Sequence, residues 1–144
     1  MTFRMNFHLE IVTPQRKVFS EEVSRLVVPT HRGAIGVLAR HTPLFTVISE
    51  GEIKIQTDTK TYYLAIGGGF MEVTRDKISI LVSRAYHAHE LNEAEIRDAQ
   101  ESARRVIANR AKGDELVQAQ AMLRRSILEM KVYHRRKLHA SSAL

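Results

Sequence analysis

Residues 78–96 read ISILVSRAYHAHELNEAEI, and the period of the chain changes inside that stretch. Ile78, Ile80 and Val82 fall two apart, the spacing of a half-buried strand. Asn92 then reads as a helix N-cap. Glu95, three residues on, would complete a capping box, and Leu91 and Ile96 are spaced to staple the chain across it. A strand period before residue 88 and a helix period after it divide the sequence into residues 1–87 and residues 88–144.

Upstream, the two-residue period recurs. Phe7, Leu9 and Ile11 face one way while His8 and Glu10 face the other, and Ile53 and Ile55 alternate with Glu52, Lys54 and Gln56. Thr13-Pro14, Thr57-Asp58-Thr59 and Arg75-Asp76 supply turns between such runs. Short strands broken about every 8–12 residues, with no helical period between them, predict an antiparallel sandwich or barrel. A sheet region of roughly 85 residues hides about 60% of the surface of its unfolded chain, enough for a core of its own.

Downstream, Ile96, Ala99, Ala103, Val106 and Ile107 recur at threes and fours along one helical face. Gly113 is expected to end this helix, because glycine reaches the left-handed conformation cheaply. Asp114 is expected to cap a second helix with apolar positions Leu116, Ala119, Leu123, Ile127 and Met130. A short break between two such stripes predicts an antiparallel helical hairpin. Its seam is alanine-rich, and the i,i+4 pairs Glu93–Arg97, Glu101–Arg105 and Arg125–Glu129 add only about 0.3 kcal/mol each. The hairpin is therefore expected to be marginal alone, and to dock on the sheet region, on another chain, or on each in turn.

The 144 residues are 44% apolar and 26% charged, a mixture that argues against disorder and fibrous repeats. The absence of cysteine excludes disulfides, thiolate zinc sites and cysteine nucleophiles, and suits a reducing compartment. The opening MTFRMNFHLEIV alternates polar and apolar residues, unlike a signal peptide, and no run approaches the roughly 20 apolar residues of a bilayer span. Membrane association is expected only through a partner or a surface contact. The net charge is +6, and each region carries 11 Lys and Arg against 8 Asp and Glu. Lys131, Arg135, Arg136 and Lys137 concentrate the excess at the end, which favours either nucleic acid or an acidic protein surface.

Three features invite chemistry. His87-Ala88-His89 at strand spacing, with Glu90 beside it, would aim two imidazoles to one side as metal ligands. No second ligand cluster accompanies them, and a structural or interface role is the better expectation, as it is for His41. The glycines of Ile66-Gly67-Gly68-Gly69-Phe70 would cradle phosphate if a helix followed, but Met71-Glu72-Val73-Thr74 alternates as a strand. A turn, a bulge or a close backbone approach is expected instead. The terminal basic run lacks interleaved aromatics apart from Tyr133, so nucleic-acid binding is kept only as the alternative function.

Taken in order, several blocks resemble the epsilon subunits of bacterial-type F-type ATP synthases. Thr13-Pro14 and Val18-Phe19 resemble the family's first hairpin. Gly33-x-x-Gly36-Val37-Leu38 followed by His41-Thr42-Pro43-Leu44 resembles its Gly-x-x-Gly-Ile-Leu-Pro-x-His-Ala-Pro-Leu block. Gly51-x-Ile53-x-Ile55 and Gly68-Gly69-Phe70-x-Glu72-Val73 match two more, and a helical hairpin follows. Each block is weak alone; their order and spacing carry the match. The chain departs from the pattern at Ala39-Arg40, where the family commonly has proline first.

The resemblance implies a two-sheet antiparallel β-sandwich followed by an α-helical hairpin. It implies a non-catalytic rotor subunit at the foot of the central stalk, coupling proton-driven rotation to ATP synthesis. It implies no catalytic residue, metal, cofactor or nucleic acid. The gamma subunit would lie alongside, the membrane c-ring's polar loops end-on, and the alpha and beta subunits would be reached by the hairpin. Membrane contact would be through the c-ring alone, at the cytoplasmic face of the bacterial inner membrane. The loop Arg32–His41 would meet the c-ring, with Arg32, Gly33, Ala34, Arg40 and His41 as candidates. Arg124, Arg125, Lys131, Arg135 and Arg136 would meet an acidic beta-subunit segment and block ATP hydrolysis. Some members bind ATP at the hairpin through Ile or Leu, Asp, two variable residues, Arg and Ala. Here Leu91-Asn92-Glu93-Ala94-Glu95-Ile96 keeps only the leucine, so a nucleotide site at Arg104 and Arg125 is not expected.

Overall fold

The computed structural model describes residues 5–142, with side chains described as far as Arg135. The chain forms two compact units that divide between His87 and Ala88. In the first, strands β1 (Phe7–Val12), β2 (Lys17–Val23), β3 (Arg25–Thr30), β4 (Gly33–Leu38) and β5 (Leu44–Ile48) are followed by β6 (Gly51–Gln56), β7 (Thr61–Ile66), β8 (Gly69–Val73), β9 (Lys77–Val82) and β10 (Ala85–His87). They form two sheets, ordered β2-β1-β9-β8-β5 and β10-β7-β6-β3-β4.

Every pairing is antiparallel except β1 with β9, which run parallel from His8↔Lys77 to Val12↔Leu81. The long stretch of chain between these two strands frees them from the direction that a tight hairpin imposes. The predicted alternation sorts residues between core and surface. Phe7, Leu9 and Ile11 are buried while His8 and Glu10 stay half-exposed. Leu9, Ile11, Met71 and Ile80 of the first sheet join Leu26, Ile53, Ile55, Leu64 and Ile66 of the second in one core. Each such side chain contributes about 1.5–3 kcal/mol by leaving water.

Threonine opens three of the hairpin turns and closes them twice over. Thr13, Thr57 and Thr74 each donate a backbone N–H to the carbonyl three residues on, at 2.9, 2.8 and 2.9 Å. Their hydroxyls accept the returning N–H of Arg16, Lys60 and Lys77 at 3.3, 3.0 and 3.2 Å. The side chain thus satisfies turn amides that the ladder leaves unpaired.

In the second unit, Ala88–Glu90 make one 3₁₀ turn before α1 (Glu93–Ala108) and α2 (Asp114–Ser142). Asn92 Oδ1 accepts the Glu95 N–H at 3.1 Å, as a cap should. The end of α1 differs from expectation. Arg110 donates to the Ile107 carbonyl at 3.1 Å and Ala111 to that of Val106 at 3.4 Å, a Schellman ending with Arg110 at φ 59°. Gly113, at φ 65°, instead begins α2, its carbonyl accepting from Val117 at 3.1 Å. Asp114 therefore stands in the first turn and not at the cap, and the break is longer than expected.

Among the described residues of the two helices, Ile96 and Ala103 of α1 and Ala119, Ser126 and Val132 of α2 are buried, so small residues occupy most but not all of the buried positions. Ile127, expected inside, is 51% exposed. Ala119, Leu123, Ser126 and Met130 keep the four-three-four stripe, and Ser126 sits there by donating its hydroxyl to the Leu123 carbonyl at 2.8 Å. All three expected i,i+4 ion pairs form: Glu93–Arg97 and Arg125–Glu129 at 2.7 Å and Glu101–Arg105 at 3.7 Å. Among the described residues no helix is long and apolar enough to cross a membrane.

Candidate functional site

The segment expected as one contact loop, Arg32–His41, is mostly strand. β4 pairs with β3 from Thr30↔Gly33 to Arg25↔Leu38. Its six residues, at about 3.3 Å each, set its two ends roughly 20 Å apart. Arg32, Gly33 and Ala34 lie at one end of the sandwich, and Arg40 and His41 at the other, so the five do not make one patch.

At the first end, His31 and Arg32 form a two-residue turn. The Thr30 hydroxyl donates to the Gly33 carbonyl at 2.7 Å and accepts the Arg32 N–H at 3.2 Å. Gly33 follows at φ 107°, a conformation that a Cβ would strain. Arg32, Gly33 and Ala34 are all exposed.

At the second end, the His41 N–H donates to the Leu38 carbonyl at 3.2 Å and closes a four-residue turn. Arg40, third in that turn, stands at φ 63° while Ala39 stays at negative φ. That is a type II turn, which favours proline second and glycine third. The family's proline would fall at Ala39 and suit the turn. Arg40, His41, Thr42, Pro43 and Arg75 line an open cavity of about 570 Å³. His41 Nδ1–H donates to the Thr42 carbonyl at 2.7 Å. Among the described residues, no ion-pair or hydrogen-bond partner holds the Arg40 or Arg75 guanidinium.

The other candidates resolve as follows. β10 ends at His87 and the 3₁₀ turn begins at Ala88, so the strand spacing expected for His87 and His89 does not arise. His87 Nε2 donates to the Val18 carbonyl at 3.1 Å and its ring meets Phe19 and Tyr62, tying the two sheets together. Among the described residues no group of three or more His, Cys, Asp or Glu is placed to hold a metal. Gly69 opens β8, and a Cβ built on it would overlap the Leu81 carbonyl, so that glycine serves a close backbone approach.

One polar cluster was not legible in the sequence. Ser20 Oγ lies 3.2 Å from His8 Nε2, and His8 Nδ1 lies 3.1 Å from Glu22 Oε1. The three sit side by side on the exposed face of β1 and β2 as a cross-strand ladder. Only the β1–β2 register, which sets His8 opposite Glu22, reveals it.

On α2, Arg124, Lys131 and Arg135 are seven and eleven positions apart, which returns them to one stripe of a helix. Arg124 and Lys131 are exposed. Arg125, on the neighbouring stripe, is engaged by Glu129, and the side chain of Arg136 lies outside the described residues. Arg104 is exposed on α1.

Comparison with known proteins places this architecture. The family model described as ATP synthase, Delta/Epsilon chain, beta-sandwich domain matches residues 6–88. An ATP synthase epsilon chain of Dehalococcoides mccartyi is 36% identical over 132 residues, 91% of this chain and 94% of the relative. One from Pelotomaculum thermopropionicum is 45% identical over 102 residues, covering 71% of this chain and 76% of the relative. In fold, the chain is similar to one in the Euglena gracilis mitochondrial ATP synthase OSCP/F1/c-ring structure. The TM-score is 0.66 and the identity 18%, over 94% of this chain and 81% of the other. A chain of the Tetrahymena thermophila mitochondrial ATP synthase central stalk/c-ring gives a TM-score of 0.58 at 16% identity, over 92% of this chain and 99% of the other. The ordered blocks, the family match and relatives aligned across sheet and helices agree: the chain belongs to the ATP synthase epsilon chain family.

Proposed function

We propose that this chain is a non-catalytic rotor subunit of an ATP synthase. Its sandwich, residues 1–87, would couple the central stalk to the c-ring, and its hairpin, residues 88–144, would restrain ATP hydrolysis. The observation that carries the reading is the alignment with epsilon chains across both units, at 36% identity over 91% of the chain. The separation of the two ends of β4 sharpens the expected contacts. The exposed turn Arg32–Ala34 would meet the polar loops of the c-ring, Arg40 and His41 at the other end of β4 would be a separate candidate for that contact, and the gamma subunit would lie alongside the sandwich. The complex holds the chain at the membrane periphery, on the side that carries the catalytic sector.

Regulation rests on the hairpin. Only five described residues of its helices are buried, Ile96, Ala103, Ala119, Ser126 and Val132, a small core that suits an element trading one docking surface for another. Extended toward the catalytic subunits, α2 offers Arg124, Lys131 and Arg135 on one stripe, with Arg125 and Arg136 beside it, to an acidic beta-subunit segment. Truncation after Glu90 is the test. The complex should assemble and its ATPase rate should rise; an unchanged rate contradicts the inhibitory role.

A further inference from the structure

The polar ladder on β1 and β2 is wired in a definite order. Ser20 Oγ meets His8 Nε2 at 3.2 Å, and the other ring nitrogen, Nδ1, meets Glu22 Oε1 at 3.1 Å. An ionised carboxylate can only accept, so the proton of the neutral ring sits on Nδ1 and Nε2 is left to accept from the Ser20 hydroxyl. Hydroxyl, imidazole and carboxylate joined through the two ring nitrogens are the parts of an activated serine, which is recognised by geometry and role and not by chain order. Register fixes the three. His8 faces Glu22 across the strand pair, and Ser20 stands two residues along β2, opposite Glu10. Glu10 in turn holds the Lys17 ammonium at 3.8 Å, a cation on the side of Ser20 away from Glu22. Ser20 is exposed, so a reagent reaches its hydroxyl from solvent.

We propose that Ser20 is a nucleophilic serine that takes an acyl group from uncharged activated esters, with His8 as its general base and Glu22 as the residue that positions the ring. Ser20 Oγ bonds to the ester carbonyl carbon as its proton passes to His8 Nε2. The bond from that carbon to the leaving alcohol then breaks, and the alcohol takes the proton back from Nε2. Water attacks the Ser20 ester by the same route, releases the carboxylic acid and restores the hydroxyl. The Lys17 ammonium favours negative charge developing beside Ser20. Charge also sets the donor class: Glu10, Glu21 and Glu22 surround Ser20 on the strand pair and repel an anionic donor such as an acyl phosphate. The open face of the ladder leaves the acyl chain in water, so a donor is chosen by the reactivity of its ester and not by its shape. This reactivity belongs to the chain by itself and does not depend on its place in a complex.

The test treats the full chain, purified alone, with p-nitrophenyl acetate and, separately, with a fluorophosphonate reagent followed by mass spectrometry of its peptides. Nitrophenolate should be released beyond one equivalent, and the fluorophosphonate should label Ser20 faster than the exposed Ser102 of α1. Ser20→Ala should lower nitrophenolate release about tenfold although its imidazole is intact, and His8→Gln should lower both release and labelling by at least about that factor. Nitrogen NMR of the His8 ring should place the proton on Nδ1, and Glu22→Ala should move it toward Nε2 and slow the release, a change that a merely structural carboxylate would not produce. All three substitutions lie on the outer face of the sheet and should leave the thermal midpoint unchanged, which separates loss of reactivity from loss of fold. Release by Ser20→Ala within twofold of the unaltered chain would mean that the imidazole acts alone and contradicts the proposal. Labelling of Ser20 no faster than that of Ser102 contradicts it as well.

Discussion

Arg40 and Arg110 stand at φ 63° and 59°, and each occupies a position that its motif would give to glycine. Arg40→Gly should therefore stabilise the sandwich by about 1 kcal/mol, a rise of roughly 4–8 °C in its midpoint. Ala39→Pro, which fixes φ where the type II turn already wants it, should add about 0.4–1 kcal/mol. Thermal scans in the near-ultraviolet, where Tyr62, Tyr63 and Tyr86 report on the sandwich, would read both changes; a lower midpoint would contradict the turn assignment. Arg110 explains why the end of α1 could not be read from residue types. Gly113 carries the strongest stop signal in the window, yet the backbone turns three residues earlier. A conformational cost of about 1 kcal/mol at Arg110 is offset by the two backbone bonds of that ending, from Arg110 to Ile107 and from Ala111 to Val106.

Strands whose faces are buried on one side only were legible as elements, and those at the sheet margin were not. β1, β6 and β9 announce themselves through Phe7-Leu9-Ile11, Ile53-Ile55 and Ile78-Ile80-Val82. β4 hides because its sequence is GAIGVL, with only Val37 fully buried, and it reads as a loop although it pairs with β3 along its whole length. That single misreading merged two ends of the sandwich into one candidate site. The parallel pairing of β1 with β9 was equally hidden, since direction depends on how far apart in sequence the partners lie. β8 offers the sharpest mutational test of the sheet. Gly69→Ala would drive a methyl group into the Leu81 carbonyl and force β8 from β9. A loss of roughly 3 kcal/mol is expected, which urea denaturation followed by tyrosine signal would register. A loss under about 0.5 kcal/mol, the range of an ordinary surface substitution, would mean that the strands separate freely there.

Across the molecule, function is a matter of which surfaces are left open. The sandwich closes its core and presents a bare turn at Arg32–Ala34, and a cationic cavity toward the other end. The hairpin presents a basic stripe on α2, with Arg124 and Lys131 exposed along it. Sequence order alone carried the family, because glycine and proline blocks recur at fixed spacing, and it could not say which blocks share an end of the fold. Co-purification under mild detergent, from cells that make this chain with an affinity tag, tests the central claim most directly. The account predicts recovery of the gamma subunit and the c-ring in fixed proportion to the tagged chain. Recovery of the chain without gamma, at low salt, would contradict it.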